Sequence, residues 1–499
     1  MNVRRKKTVK NTLSALVYQT INLIVGFFLP KLIIGVYGSE INGLSSNINQ
    51  YLNILNLLQA GIIAASAYEM YKPITNEDYK TIGTIYYSAR KYFNKCSYIL
   101  LFLSITVIPF MLYGKTKTMS FNEMFLSVLI LGLNSFIIFK YYCKFDLIFS
   151  AHQEKYTLVF SMYLEKSVYY ILLFMILYLK WNYNWMYLCT LFGTVSKVVY
   201  LHFKFRNRFE VDIKQYNQLT DYRVKNQYHV LGNQIVFRIM DTFPIIAVTR
   251  FYNFTYASIY SVYILVIAIF KMIFDTLQNS IAPSFGDLFA TGNKKRCIEI
   301  FETFQLLSFL LLNVIVICLA GLFLPFIRFY IGNVGEVNYI YSNIAFFITL
   351  QLISYSYFFQ FNMIVNTTGI YRLILKGNIV IACLTIIITL GLTMLDFQYI
   401  YSGIFLYYLI CSVHNFIVIR KYALKISYKC LIRPFISIVL FVCSSLLLTN
   451  RIYDVINNNI NYWIIACIIL LGVGIIISLL LTLLTDRHIL IERINKMKK

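Results

Sequence analysis

The chain is predicted to be an all-α polytopic membrane protein of about fourteen transmembrane helices, in two six-helix bundles related by a pseudo-two-fold axis, with two further helices at the C-terminus. Three observations predict this. Of 499 residues, 59% are hydrophobic and only 13% charged, and the mean hydropathy is +0.67. Apolar runs recur along the whole length, and about 20 such residues cross a bilayer as a helix. Lys and Arg collect between alternate runs, as cytoplasmic loops require.

Taken in order, the apolar runs fall near 11–36, 41–69, 96–113, 121–139, 157–179, 183–203, 228–250 and 257–282. They continue at 303–326, 338–365, 374–395, 398–419, 433–449 and 461–485. Twelve crossings is the competing count. The first run follows Arg4–Lys7 and resembles a signal peptide, but it is too long and has no small-residue cleavage site. It is therefore a span, with the N-terminus cytoplasmic. Arg90 and Lys91, Lys204 to Arg208, Lys294 to Arg296, and Arg420 and Lys421 then share the cytoplasmic side, and both termini lie there.

A weak repeat divides the chain. Pro30 stands near the outer end of the first helix and Pro244 near that of the seventh. Each is followed by a second proline, Pro73 and Pro283, where the next helix leaves the membrane, and then by a polar amphipathic stretch. The same plan twice, entered from the same side, predicts parallel repeats with a substrate pathway between them. The expected domains are a bundle over 1–210, a second over 211–425, and two added helices with a basic tail over 426–499. Chance spacing among only seven prolines is the alternative.

Several function classes lack support. The formal charge of +24 is spread over interhelical loops, and no basic domain exists to carry nucleic acid. Ten cysteines lie scattered in apolar segments without a CxxC, and five histidines lie far apart, so neither a zinc site nor a resident cofactor is expected. No Walker A or GxSxG signature is present. The outer loops are short and their acids (Glu40, Glu123, Glu336, Asp396, Asp454) single, which disfavours a membrane enzyme of glycan assembly.

The candidate site is the hairpin Tyr228–Pro283, where four charges interrupt two apolar runs. A charge near the bilayer centre costs about 3 kcal/mol on insertion scales and reads by default as functional. At about 1.5 Å per residue, Arg238 lies ~15 Å and Asp241 ~20 Å from the cytoplasmic end, with Asp275 ~12 Å and Lys271 ~18 Å from that end on the next helix. Antiparallel neighbours would level Arg238 with Asp275 and Lys271 with Asp241. The spacings within each helix, i,i+3 and i,i+4, also allow pairing. Mutual compensation explains the quartet without function. The functional reading gives Arg238 and Lys271 phosphate oxygens, and Asp241 or Asp275 a coupling proton or sodium ion.

On the second helix Asn42, Ser46, Asn49, Asn53 and Asn56 form one polar stripe. Amides suit sugar hydroxyls, and interhelical hydrogen bonding is the structural alternative. Lys31 is a further cation near the outer interface, where snorkelling also accounts for it. Glu165 and Lys166 are adjacent on one helix, so only one of them can look inward.

The run from Phe28 to Tyr79 resembles the first helical hairpin of bacterial polysaccharide-export flippases, most specifically in YGSEINGL (Tyr37–Leu44) and YKPITNEDY (Tyr71–Tyr79). These share a superfamily with multidrug (MATE) antiporters and the lipid II flippase. Elsewhere the likeness is carried by span number, the two-half layout and an acidic residue in helix 7. The resemblance implies flipping of an undecaprenyl-diphosphate-linked O-antigen or capsule repeat unit to the outer leaflet of the bacterial inner membrane, by ion-coupled alternating access. It also implies membrane lipid, a polymerase and glycosyltransferases as partners. Joined to the residue-level reading, this leaves Arg238, Lys271, Lys31, Asn49, Asn53 and Asn56 as the candidates for substrate, and Asp241 and Asp275 as those for the ion. A multidrug or small-solute antiporter of the same fold is the alternative, and a membrane enzyme the third.

Overall fold

A computed structural model describes residues 2–112, 119–152, 154–209, 227–332, 337–456 and 459–497. Among these the chain is helical without a strand. The helices are α1 (Asn2–Thr75), α2 (Tyr79–Leu112), α3 (Phe121–Ile137), α4 (Cys143–Ala151), α5 (Lys155–Leu179), α6 (Asn184–Arg206) and α7 (Gln227–Phe251). They continue as α8 (Phe254–Ala290), α9 (Lys294–Ile331), α10 (Ser342–Thr368), α11 (Tyr371–Leu395), α12 (Ile400–Tyr422), α13 (Lys429–Ile456) and α14 (Ile460–Met497). Contacts divide the chain into two compact units, Met1–Ser258 and Ile259–Lys499. The boundary falls inside α8. The first unit thus holds α7, one helix more than the first bundle expected from sequence, and the expected division at 210/211 lies outside the described residues.

Helix α1 is two membrane passes joined at one residue. Gly38 adopts φ 85° and ψ 170°. That conformation is open to glycine and costly for residues with a Cβ. Side-chain bonds place each arm. Tyr163 and Tyr170 of α5 reach Ser14 and Asn22 at 3.4 and 3.5 Å, and Tyr37 donates to the Trp181 carbonyl at 2.7 Å. The first arm therefore runs parallel to α5. Beyond Gly38, Asn42 donates to Ser258 at 2.7 Å and Asn47 bonds Thr249. The start of the second arm therefore packs on the end of α7 and the start of α8. At Gly43 a Cβ would run into the Phe254 backbone, which is why this contact needs glycine.

Helices α3 and α4 form one rod interrupted by a π turn, Ile138–Tyr142. A capping box starts it, with two orphan amides satisfied reciprocally. Ser120 accepts from the Glu123 amide at 3.3 Å, while Glu123 accepts from the Ser120 amide at 3.2 Å. In the second unit α10 packs on α12, and α12 on α11. The two C-terminal helices are integral to this unit, for both pack along α9. Buried Arg433 of α13 donates to Gln305 Oε1 at 2.9 Å, and Gln305 donates to the Cys430 carbonyl at 3.0 Å. Farther along, Ser437 bonds Asn313 at 2.8 Å and Ser478 bonds the Leu310 carbonyl at 2.8 Å.

The polar stretches after Pro73 and Pro283 are not separate surface helices. The first is the opening of α2, and the second is split between the end of α8 and the start of α9, with Pro283 inside α8. Twelve helical stretches among the described residues are long and apolar enough to cross a membrane. One of these windows spans both arms of α1, and charge-bearing α7 is not among them. This is the architecture of a multi-pass membrane protein.

Candidate functional site

Each unit places charged side chains inside its helices, and each set is built differently. In the second unit, α8 presents Lys271, Asp275 and Gln278 at i, i+4 and i+7, one stripe of the helix. The Lys271 ammonium lies 4.6 Å from the centre of the Tyr355 ring and 5.8 Å from that of Tyr408. Tyr355 donates its hydroxyl to Asp275 Oδ1 at 2.8 Å. The cage is itself packed: Tyr355 stacks on Phe359 at 5.3 Å and meets Tyr408 edge-on at 5.4 Å. Gln278 is buried, and its side-chain oxygen has no hydrogen-bond partner among the described residues. A ring face attracts a cation electrostatically. Lys271 is thus held against π faces, beside a carboxylate held by a phenol.

The position of α8 in this unit rests on tyrosines. Tyr260 stacks on Tyr401 of α12 with ring centres 4.7 Å apart, and Tyr401 donates to the Tyr260 carbonyl at 3.2 Å. Tyr263 donates to the Tyr339 carbonyl at 2.9 Å and accepts from the Tyr341 amide at 2.9 Å. The hydroxyls of Tyr401 and Tyr263 satisfy themselves on backbone while their rings are buried, so the helix is held without further charges.

In the first unit Arg238 and Asp241 of α7 stand 4.0 Å apart, and Arg238 is 42% exposed. At 4.0 Å the contact stands at the outer limit of an ion pair and holds neither charge tightly. It cannot by itself explain the presence of both charges in an apolar helix. The i,i+3 contact is one of the pairings expected of these residues.

A second pair in this unit is much tighter. Lys197 of α6 meets Glu165 of α5 at 2.8 Å, with side-chain exposures of 6% and 19%. Thr194 adds a hydrogen bond to Glu165 at 3.2 Å, and the ammonium lies 4.3 Å from the Tyr142 ring centre. Tyr142 belongs to the π turn, and Gly193 lets the Glu165 backbone approach α6 closely. Of the adjacent pair singled out in the sequence, both half-buried, Glu165 is the one that meets α6. Lys166 instead lies 5.5 and 5.9 Å from the rings of Tyr169 and Tyr170. Sequence reasoning missed Lys197; a lone cation deep in the run 183–203, without an acid at i±3 or i±4, was the available signal.

The asparagine stripe is divided by the structure. Asn42 is buried and bonded to Ser258, the interhelical role. Asn49 and Asn53 are exposed, while the side chain of Asn56 lies outside the described residues. Lys31 is half-buried, seven residues before the Gly38 break.

No protein-family profile matches the chain, and no curated protein matches it. A solved structure does. It is described as the inward-facing conformation of a multidrug resistance MATE family transporter of the MOP superfamily. The TM-score is 0.60 at 12% identity, over 82% of this chain and 97% of the other. At that identity the likeness establishes a shared fold.

Proposed function

We propose that the protein is a transporter that flips an undecaprenyl-diphosphate-linked oligosaccharide repeat unit from the cytoplasmic to the outer leaflet, in O-antigen or capsule synthesis. The observation that carries this reading is Lys271, a membrane-embedded cation held by Tyr355 and Tyr408. A cation kept inside a polytopic helix bundle favours an anionic passenger, and a diphosphate supplies oxygens for several ammonium or guanidinium donors. Arg238, partly exposed, is the matching cation of the first unit. Lys31, Asn49 and Asn53 are assigned to the same passenger, with Asn56 in helical register with them. Asp275 and Asp241 carry the coupling ion, a proton or sodium, in an alternating-access cycle. The protein lies in the bacterial inner membrane with both termini cytoplasmic, beside the polymerase and glycosyltransferases of its pathway.

A second reading is favoured by one specific feature. Tyr355, Phe359 and Tyr408 form an aromatic wall next to Asp275. Such a surface also suits an organic cation. That would make the protein a multidrug or small-solute antiporter, in line with the multidrug resistance transporter whose fold it shares. Reconstituted vesicles separate the two. Wild-type protein should flip fluorescent polyprenyl-diphosphate glycans, and Lys271→Gln should slow flipping by at least tenfold while the protein remains folded. Efflux of organic cations without glycan flipping would overturn the first reading and leave the second.

A further inference from the structure

One exposed face of the first unit carries a feature that transport of a repeat unit does not require. On α2, Lys91, Lys95, Tyr98 and Phe102 follow one another at i+4, i+3 and i+4, a single helical face. All four are exposed. Against that face stands the rod α3–α4. Tyr98 packs on Phe136 with ring centres 5.5 Å apart and accepts a hydrogen bond from Lys140 at 3.1 Å. Lys140 also lies 5.0 and 4.9 Å from the ring centres of Tyr98 and Phe136. One turn on, Lys144 sits 5.3 Å from the ring of Tyr141 and 5.0 Å from that of Phe145. Around the π turn Tyr142 and Cys143 are buried, Tyr141 is exposed, and Lys140 and Lys144 are half-buried.

Depth decides what these lysines meet. Lys140 lies 19 residues past Phe121. That is ~28 Å along the rod, so it reaches the far edge of a hydrocarbon core ~30 Å thick. Helix α2 runs antiparallel, which brings Lys95 and Lys91 progressively beyond that edge. The four ammonium groups thus sit at headgroup level, on the Lys- and Arg-rich side of the membrane, with aromatic rings below them at the acyl boundary. Of the two acids on this rod, Glu123 caps the far end, and Asp146 takes a hydrogen bond from Ser150 at 2.9 Å. Long basic side chains at this depth place their heads among lipid phosphates while their stems stay apolar.

We infer that this face of α2 and α3–α4 is a binding site for an anionic phospholipid of the cytoplasmic leaflet, its phosphate held by Lys140 and Lys144 and reinforced by Lys91 and Lys95. The rings beneath supply the contact for the upper acyl chain. Phosphatidylglycerol is the probe. Wild-type full-length protein, exchanged into nanodiscs of mixed phosphatidylcholine and phosphatidylglycerol, should retain phosphatidylglycerol preferentially when released for native mass spectrometry. Each Lys→Gln change should weaken retention about fivefold, the effect of one basic residue near an anionic surface. The quadruple Lys→Gln variant should show no preference, and the quadruple Lys→Arg variant should keep it. K140Q alone serves if the quadruple variant does not fold. Equal phosphatidylglycerol retention by wild type and K140Q would overturn the assignment. So would displacement of the bound phosphatidylglycerol by an equimolar polyprenyl diphosphate, since the face would then belong to the transported lipid.

Discussion

Replacing Lys197 by Met tests the buried pair of the first unit most directly. The two groups stand 2.8 Å apart. With an effective dielectric near 20, their attraction at that distance is about 6 kcal/mol. Desolvating two ions costs several kcal/mol each, so the intact pair contributes little net stability. Removing only the cation leaves the cost without the gain. Lys197→Met should destabilise the protein by ~3–5 kcal/mol, with the lost contact to the Tyr142 ring included. Glu165→Leu/Lys197→Met removes both charges and should recover wild-type stability or exceed it. Thermal unfolding in detergent, followed by a thiol-reactive dye, reads this out, because Cys143 and Cys189 are buried free thiols that unfolding exposes. The exposed Cys383 and Cys443 are replaced by serine beforehand to lower the background. A loss below about 1 kcal/mol in Lys197→Met, the range of an exposed pair, would refute the buried ionic cost. So would a double variant as unstable as the two single losses summed.

Two further outcomes rest on packing. Gly43→Val drives a side chain into the Phe254 backbone. It should cost about 1–3 kcal/mol or more, seen as a lowered unfolding midpoint. Arg433→Met leaves the buried Gln305 oxygen without the donor it now has. It should cost about 1–3 kcal/mol; an unchanged midpoint would show that water or another side chain replaces the guanidinium.

Much of the fold was legible because membrane helices announce themselves by length and hydropathy alone. Every apolar run found in the sequence corresponds to a helix or an arm of one, and the joint at Gly38 falls within YGSEINGL. The site was legible only where partners share a helix. Arg238 and Asp241 stand three residues apart, and their contact is a local property of α7. The tyrosines of α10 and α12 that meet Lys271 and Asp275 are indistinguishable in sequence from the chain's many other tyrosines. Lys197 and Glu165 lie on different helices, and no periodicity links them. Arg433 stands in the basic margin of its helix, where the charge pattern places it in the cytoplasm, yet it is 1% exposed. Hydropathy records which side of the membrane a charge is near, and not which neighbour it faces.

The polar seam between α9 and α13 has a bearing on how the chain is made. Gln305 and Arg433 are 128 residues apart, and Asn313 and Ser437 are 124 apart. At a synthesis rate of about 5–20 residues per second, α9 enters the membrane roughly 6 to 25 seconds before its partner emerges from the ribosome. During that interval an amide built for Arg433 stands in or near hydrocarbon, and α10, α11 and α12 are inserted meanwhile. The last two helices are therefore a deadline for biogenesis: a chain terminated before α13 keeps its earlier passes but leaves α9 exposing polar groups, the state that membrane quality control removes.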